Sequence, residues 1–392
     1  MKPSLPSRRY ASEFRCIGAE CEDTCCGGWP VEVDDKTKRK YLRAYDLKDT
    51  MRPTADGTTV MCHDTNDKCV KLEGGLCGIQ KKYGADYLSD TCYHYPRSFR
   101  QFGEHLVMHA ALSCPEVARG ALFGEDAFAL THQPAPARPP KELYDFLLKG
   151  MDADEAIHIN QMVLDAVLNP VHTPERHMAR LLGLSETLEE LEPMHWLSAT
   201  HFYLNNPDKP LPAPVHHPDD PVNLFRALHR MLVSDRNQYQ KRIYATLRDM
   251  EAALEIRVHW GDATVSDVSR APAAWVRMQE SWAQHGKALA PLLHRWLAAE
   301  VTHMVFPFTG MSVSPKTRAA VLALHFATVR LALMAACHVK GGVIDEAQQL
   351  RIIQSISRTV DHTIEQTPFF RAYNQPDWHH ENRLRALIGD TE

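Results

Sequence analysis

The sequence predicts a mostly α-helical protein with a small, irregular, cysteine-rich domain at its N-terminus. Three observations carry that prediction. Nine of the ten cysteines lie before residue 120. The same stretch is dense in turn signals and keeps no long helical period, whereas apolar residues beyond position 141 recur at helical spacing. A proline run separates the two regimes.

At 392 residues the chain has length for two or three domains and a real core, so its size creates no need for disulfide staples. Met1 to Tyr10 carries positive charge but leads into Ala11-Ser-Glu-Phe-Arg-Cys16 rather than an apolar run. No signal peptide is expected, and the predicted location is the cytoplasm. Lys plus Arg is 44 against Asp plus Glu 49, a net charge of −5. No global basic field is available for nucleic acid or an anionic membrane, so neither is an expected partner.

Residues 1–130 are assigned to the cysteine-rich domain. Its breakers, Gly27-Gly28, Arg52-Pro53, Asp56-Gly57, Gly74-Gly75 and Tyr95-Pro96, predict short helices and loops with one hairpin. Residues 131–140 contain Gln133-Pro-Ala-Pro-Ala-Arg-Pro-Pro140, whose four prolines favour an extended linker. Residues 141–392 are assigned to an all-helical domain, with stripes through 141–169, 174–192, 222–233, 272–304, 316–338 and 343–366. Ile243, Leu247, Met250 and Leu254 mark one further face. Thr173-Pro174 and Ser314-Pro315 each place a capping side chain before a proline at the first helical position. A second proline-rich stretch, Pro207 to Pro221, subdivides the helical part near 205–221. Val321 to Val339 approaches membrane-spanning length, but His325 and Arg330 interrupt it, so a buried helix is expected.

In the cytoplasm thiols stay reduced, so a dense cysteine cluster points to a metal or an iron–sulfur cluster rather than disulfides. The cysteines form two groups, Cys16-x4-Cys21-x3-Cys25-Cys26 and Cys69-x7-Cys77-x14-Cys92-x21-Cys114. Short spacings let a loop turn successive sulfurs toward one centre, and the later cysteines would close it through tertiary folding. Both zinc and iron–sulfur accept four thiolates, so eight cysteines could hold one cluster plus a second site, or two clusters. The absence of Cys-x2-Cys pairs and the Cys114-Pro115 ending lean toward iron–sulfur. The Cys-x3-Cys-x2-Cys pattern of radical enzymes is not met, because position 28 is glycine.

The stretch Phe14-Arg-Cys-Ile-Gly-Ala-Glu-Cys-Glu-Asp-Thr-Cys-Cys-Gly-Gly-Trp29 resembles the opening of the flagellin lysine N-methylase family. Leu76-Cys-Gly-Ile-Gln80, Leu88-Ser-Asp-Thr-Cys-Tyr-His-Tyr-Pro-Arg97 and Leu112-Ser-Cys-Pro-Glu-Val-Ala-Arg119 follow in that family's order. Near the other end His303-Met-Val-Phe-Pro-Phe308, Ile352-Ile-Gln-Ser-Ile-Ser-Arg358 and Asp361-His362 are also similar to it, while about 141–290 matches only in helical character. The N-terminal part separately resembles a broader cysteine-rich domain described as zinc- or iron-chelating.

The resemblance implies methyl transfer from S-adenosylmethionine to the ε-amine of flagellin lysines. It also implies an iron–sulfur centre, expected as 4Fe-4S with zinc as the alternative. Carried over by position, the expected metal and cofactor ligands are Cys16, Cys21, Cys25, Cys26, Cys69, Cys77, Cys92 and Cys114, leaving Cys62 and Cys337 as ordinary thiols. No Gly-x-Gly-x-x-Gly stands in the chain, so the donor pocket has no place in the sequence.

Methyl transfer needs a neutral amine and a group to take its proton. Tyr87, Tyr93, Tyr95, Asp23, Asp34 and Glu116 stand near the cysteine motifs, each with a structural role as the simpler reading, and none is named catalytic. Arg97 and Arg119 could pair with acidic neighbours or hold the donor's carboxylate. His94 is the histidine nearest a thiol motif. The rival from another class is a non-catalytic iron–sulfur or zinc-binding interaction module. A cluster-dependent redox protein is the third.

Overall fold

The computed structural model describes residues 4–140, 143–206, 211–234, 241–260, 264–309, 313–360, 378 and 380–390. In chain order the N-terminal part comprises β1 (Ser4–Arg8), α1 (Arg9–Ser12), α2 (Asp35–Arg43), β2 (Met51–Pro53), β3 (Thr59–Met61), β4 (Leu72–Glu73) and β5 (Leu76–Cys77). It continues with α3 (Gly78–Tyr83), α4 (Asp90–His94), β6 (Arg97–Phe102), β7 (His105–Ala110), α5 (Pro115–Phe123) and β8 (Leu130–Pro134). Helices then dominate: α6 (Ala153–Leu168), α7 (Pro174–Glu189), α8 (Trp196–Leu204), α9 (Asp220–Ser234) and α10 (Lys241–Leu254). A small hairpin of β9 (Arg257–His259) and β10 (Thr264–Ser266) precedes α11 (Ala271–His285), α12 (Ala290–His303), α13 (Pro315–Lys340), α14 (Glu346–Val360) and α15 (Glu381–Ile388). The protein is mostly α, as its periodicity predicts.

Local chemistry sets the helix starts. Thr173 accepts from the Arg176 amide and Ser314 from the Thr317 amide, each ahead of a proline at the first helical position. Asp152 and Glu155 close a capping box on α6. The stripe at 272–304 is two helices rather than one. The chain turns at Gly286, where a Cβ would stand 2.4 Å from the Trp282 ring. The end of the 343–366 stripe, and Asp361-His362 with it, lies outside the described residues, as do 207–210 of the second proline stretch.

The N-terminal part has more sheet than a single hairpin. A four-stranded sheet runs β6-β7-β1-β8, with β1 parallel to β7 and antiparallel to β8. The basic N-terminus is therefore a central strand, and Leu130–Pro134, the start of the proline run, is the edge strand beside it.

The main core crosses the proline run. One buried cluster includes Tyr10, Leu112, Val117 and Leu122 together with Ile159, Met178, Leu247, Trp296 and Leu324. Residues Val31, Val33, Tyr41, Leu47, Met61, Ile79 and Leu88 form a separate small core. The apolar α13 is the described helix long and apolar enough to cross a bilayer, and 94% of its most apolar window is buried inside the protein. Helices α7, α10, α11 and α15 pack around it, which is the buried-helix expectation met.

Candidate functional site: the cysteine loops

The small core is the floor on which the cysteine loops are laid. The chain from Cys16 to Trp29 is irregular, held by the Cys21 amide on the Gly18 carbonyl and the Cys26 amide on the Thr24 hydroxyl. It is joined to the next loop through backbone: the Cys69 amide donates to the Cys26 carbonyl at 2.7 Å and the Gly28 amide to the Asp67 carbonyl at 3.1 Å. This approach requires glycine at 27, where a Cβ would meet the Asp67 carbonyl oxygen at 2.6 Å. Cys77 ends β5 opposite Leu72. Cys92 sits in α4 with its amide on the Ser89 hydroxyl at 3.2 Å, and Cys114 caps the start of α5.

Among the described residues no three His, Cys, Asp or Glu side chains are arranged to hold a metal ion. The thiols nevertheless lie close enough for their charges to act on one another. Burial pushes the Cys69 thiol up to about 11, with Cys77 and Cys62 adding to the rise. The Cys92 thiol is raised by burial and by Cys77, Cys69 and Cys25. Its residue is exposed to solvent. Cys25 and Cys26 share a hydrogen bond that lowers the first and raises the second. Cys77 and Cys92 raise Cys26 further, while the Arg358 charge lowers Cys25. Burial pushes Cys114 up to about 12, with Cys21 and Cys25 in the same direction. Burial also raises Cys21, with a small further push from Cys16.

Two neighbourhoods result. One joins Cys26, Cys69, Cys77 and Cys92, and the other joins Cys16, Cys21 and Cys114, with Cys25 acting on both. Cys62 is less remote than its place outside the motifs implies, because it acts on Cys69 and its carbonyl accepts from the Val70 amide. Cys337 is buried in α13. Tyr41, which sequence reading passed over, underlies the first group: its hydroxyl donates to the Tyr87 carbonyl at 2.7 Å, and Cys92, Cys77 and Cys69 help raise its pKa after burial. Its only sequence signal is the buried i, i+4 pairing with Thr37 on α2.

Helix α14 clamps the first loop from the far end of the chain. Arg358 donates to Asp23 Oδ2 at 2.6 Å and to the Gly27 carbonyl. Gln354 donates to Asp23 Oδ2 and to the Ser113 carbonyl, both at 2.8 Å. Arg119 pairs with Glu22 at 2.7 Å and Glu116 at 3.0 Å, and Arg242 donates to the Glu22 carbonyl. The two ends that resemble one family therefore meet at one place.

The proton-acceptor candidates are mostly engaged in structure. Asp23 is held by Arg358, and Glu116 by Arg119. Asp34 caps α2 through the Thr37 amide and takes the Asp90 amide on its other oxygen. Tyr95 is half-buried against Trp29 and shares a hydrogen bond with Ser113. Tyr93 lies under the Arg138 guanidinium, and Tyr87 stacks on Tyr83. Arg97 lies over Phe14 and donates to its carbonyl. His94 stacks edge-on between Tyr93 and Phe99, and burial lowers its pKa.

Residues 203–373 match the family described as FliB lysine N-methylase C-terminal domain. The chain is 33% identical over 134 residues to the flagellar biosynthetic protein FliU of Salmonella muenchen, a span of 31% of this chain and 78% of that one. It is 32% identical over 137 residues to the lysine-N-methylase of Salmonella typhimurium and 33% identical over 137 residues to that of Salmonella choleraesuis. Each of these matches covers 32% of this chain and 34% of the relative. No solved structure matches.

Proposed function

The chain belongs to the flagellin lysine N-methylase family, and on that premise we propose that it is a protein lysine N-methyltransferase acting on flagellin in the cytoplasm with S-adenosylmethionine as donor. The reaction breaks the sulfonium S–CH3 bond and forms an N–CH3 bond at a lysine ε-amine. The donor leaves as the neutral thioether S-adenosylhomocysteine. The ammonium must first give its proton to solvent or a side chain, because only the free amine has a lone pair for the methyl carbon. Docking of a protein acceptor against the helical part would place the amine near the donor, and positioning of that kind lowers the barrier.

The observation that carries this reading is the union of the two family-like segments, with Arg358 and Gln354 of the matched helical region gripping Asp23 between Cys21 and Cys25. We assign Cys16, Cys21, Cys25, Cys26, Cys69, Cys77, Cys92 and Cys114 to iron–sulfur ligation, as one four-thiolate cluster plus a second site or as two clusters. The chemistry of the donor set supports it: soft thiols from separate loops raise one another's pKa, a penalty that a bound cation removes. When bound, such a cluster supplies metal–thiolate bonds that tie these loops together.

The test is anaerobic purification with iron and acid-labile sulfide measured, then incubation with S-adenosylmethionine and host flagellin followed by intact-mass analysis. Iron, sulfide and one-methyl increments on flagellin lysines are expected, with free lysine a far poorer acceptor. Flagellin recovered by pull-down but left unmethylated by iron-loaded protein would replace the transferase with the interaction module.

A further inference from the structure

The methyl donor has no motif in the sequence, but the helical part holds a cavity of about 430 Å³ between α9, α11, α13 and α15. That volume lies within the roughly 300–1,000 Å³ of small-molecule sites. Apolar Leu224 and Leu331 line it, Trp275 and Gln279 stand on the α11 side, and two buried charges, Asp220 and Arg330, share the lining with His216 and His217. Their exposures are 5% and 9%. Buried charges beside an apolar wall are costly unless paired, and both are. Arg330 Nε donates to Glu175 at 2.8 Å, and Asp220 Oδ1 accepts from Arg383 at 2.6 Å.

The pairing leaves one valence of each unused. Arg330 Nη1 reaches only the Met334 sulfur, and Nη2 makes no hydrogen bond among the described residues. Asp220 Oδ2 likewise takes none there. The guanidinium is fixed from two further sides: it lies 5.4 Å over the Trp282 ring, and Gly389 packs so close that a Cβ would stand 2.5 Å from its central carbon. A held donor and a held acceptor, each neutralised by its own partner, suit a ligand that brings an anion and a cation or hydroxyl together. Trp275 adds a half-buried aromatic face that can stack a base or attract a positive sulfur.

The geometry points to this cavity as the donor pocket, taking S-adenosylmethionine with its carboxylate on Arg330 Nη2, an ammonium or ribose hydroxyl on Asp220 Oδ2, and adenine or sulfonium on Trp275. The assignment rests on the methyltransferase reading above and places its donor in the family-matched region.

The test uses the full chain and measures binding apart from activity. Ultraviolet cross-linking of radiolabelled S-adenosylmethionine to wild-type protein, followed by peptide mapping, should put the label in 216–224 or 271–285. S-adenosylhomocysteine should compete, and methionine or adenosine alone should compete weakly. In calorimetry Arg330→Lys, which keeps the charge but loses the fork, should raise the Kd at least about tenfold. Trp275→Leu should raise it several-fold, with circular dichroism confirming that each variant is folded. Because the cross-link needs no variant, a poorly folding Arg330→Lys leaves the test intact. Label in peptides of 16–114, or unchanged affinity in both folded variants, overturns the pocket while leaving the donor reading in place. Competition by free methionine as strong as by S-adenosylhomocysteine makes this an amino-acid site and also overturns the assignment. Label in the cavity with no methylation of flagellin supports the pocket and removes the transferase. No donor binding at all removes the pocket.

Discussion

Replacing Glu300 by glutamine should remove a specific pH dependence from stability. Glu300 on α12 is 1% exposed, its Oε2 has no hydrogen-bond partner among the described residues, and His325 on α13 stands 4.0 Å away with both ring nitrogens unpartnered. Burial pushes the carboxyl from its ordinary 4.5 up to about 8 and the imidazole from 6.5 down to about 3, so both are neutral in the folded protein. Between pH 4.5 and 6.5 the unfolded chain holds one proton on this pair, on the histidine, and the folded protein also holds one, on the glutamate. The pair contributes no slope there. Above pH 6.5 the unfolded pair holds none while the folded carboxyl keeps its proton, so stability falls by about 1.4 kcal/mol per pH unit, roughly 2 kcal/mol by pH 8. Below pH 4.5 the unfolded pair takes up a second proton that the folded histidine refuses, and stability falls again toward pH 3. Glu300→Gln removes the carboxyl contribution alone. Its stability relative to wild type should therefore rise steadily from pH 4.5 to 8. Urea unfolding at half-unit pH steps measures this directly. A constant difference across that range would mean that Glu300 is not held neutral and would refute the reasoning.

Three further outcomes follow from the packing around the cysteine loops and the core. Arg358→Gln should free Asp23 and speed proteolysis between residues 21 and 29, at a cost of about 3 kcal/mol, and a double-mutant cycle with Asp23→Asn should show coupling. Gly27→Ala should force the two cysteine loops apart, so that the Cys69 amide, bonded to the Cys26 carbonyl, exchanges its hydrogen faster while amides in α13 are unchanged. Asn160→Ala should cost about 2 kcal/mol in urea unfolding, because its buried amide donates to the Val301 and Phe306 carbonyls at 3.2 and 2.8 Å. A loss under about 0.5 kcal/mol would show that water replaces both bonds.

Much of the helical half is legible in the chain because its signals are local. Thr173-Pro174 and Ser314-Pro315 start helices through side chains acting three residues ahead, and the stripe from Ile243 to Leu254 needs only the 3.6-residue period to be read. The density of thiols before residue 120 is likewise visible without coordinates. Strands were harder to read: Ser4–Arg8 carries no clear alternation, and its place in the sheet comes from β7 and β8, about a hundred residues away. Which thiols neighbour which, and what holds their loops, is set by contacts of still greater reach. Asp23 meets an arginine 335 positions along the chain, and Asp220 meets one 163 positions along. Pairings at such separation depend on how the core brings helices together. Spacing in sequence therefore shows where the thiols gather, whereas the Asp23 clamp, the buried Glu300 and the cavity beside Arg330 exist only once α12, α13, α14 and α15 have packed.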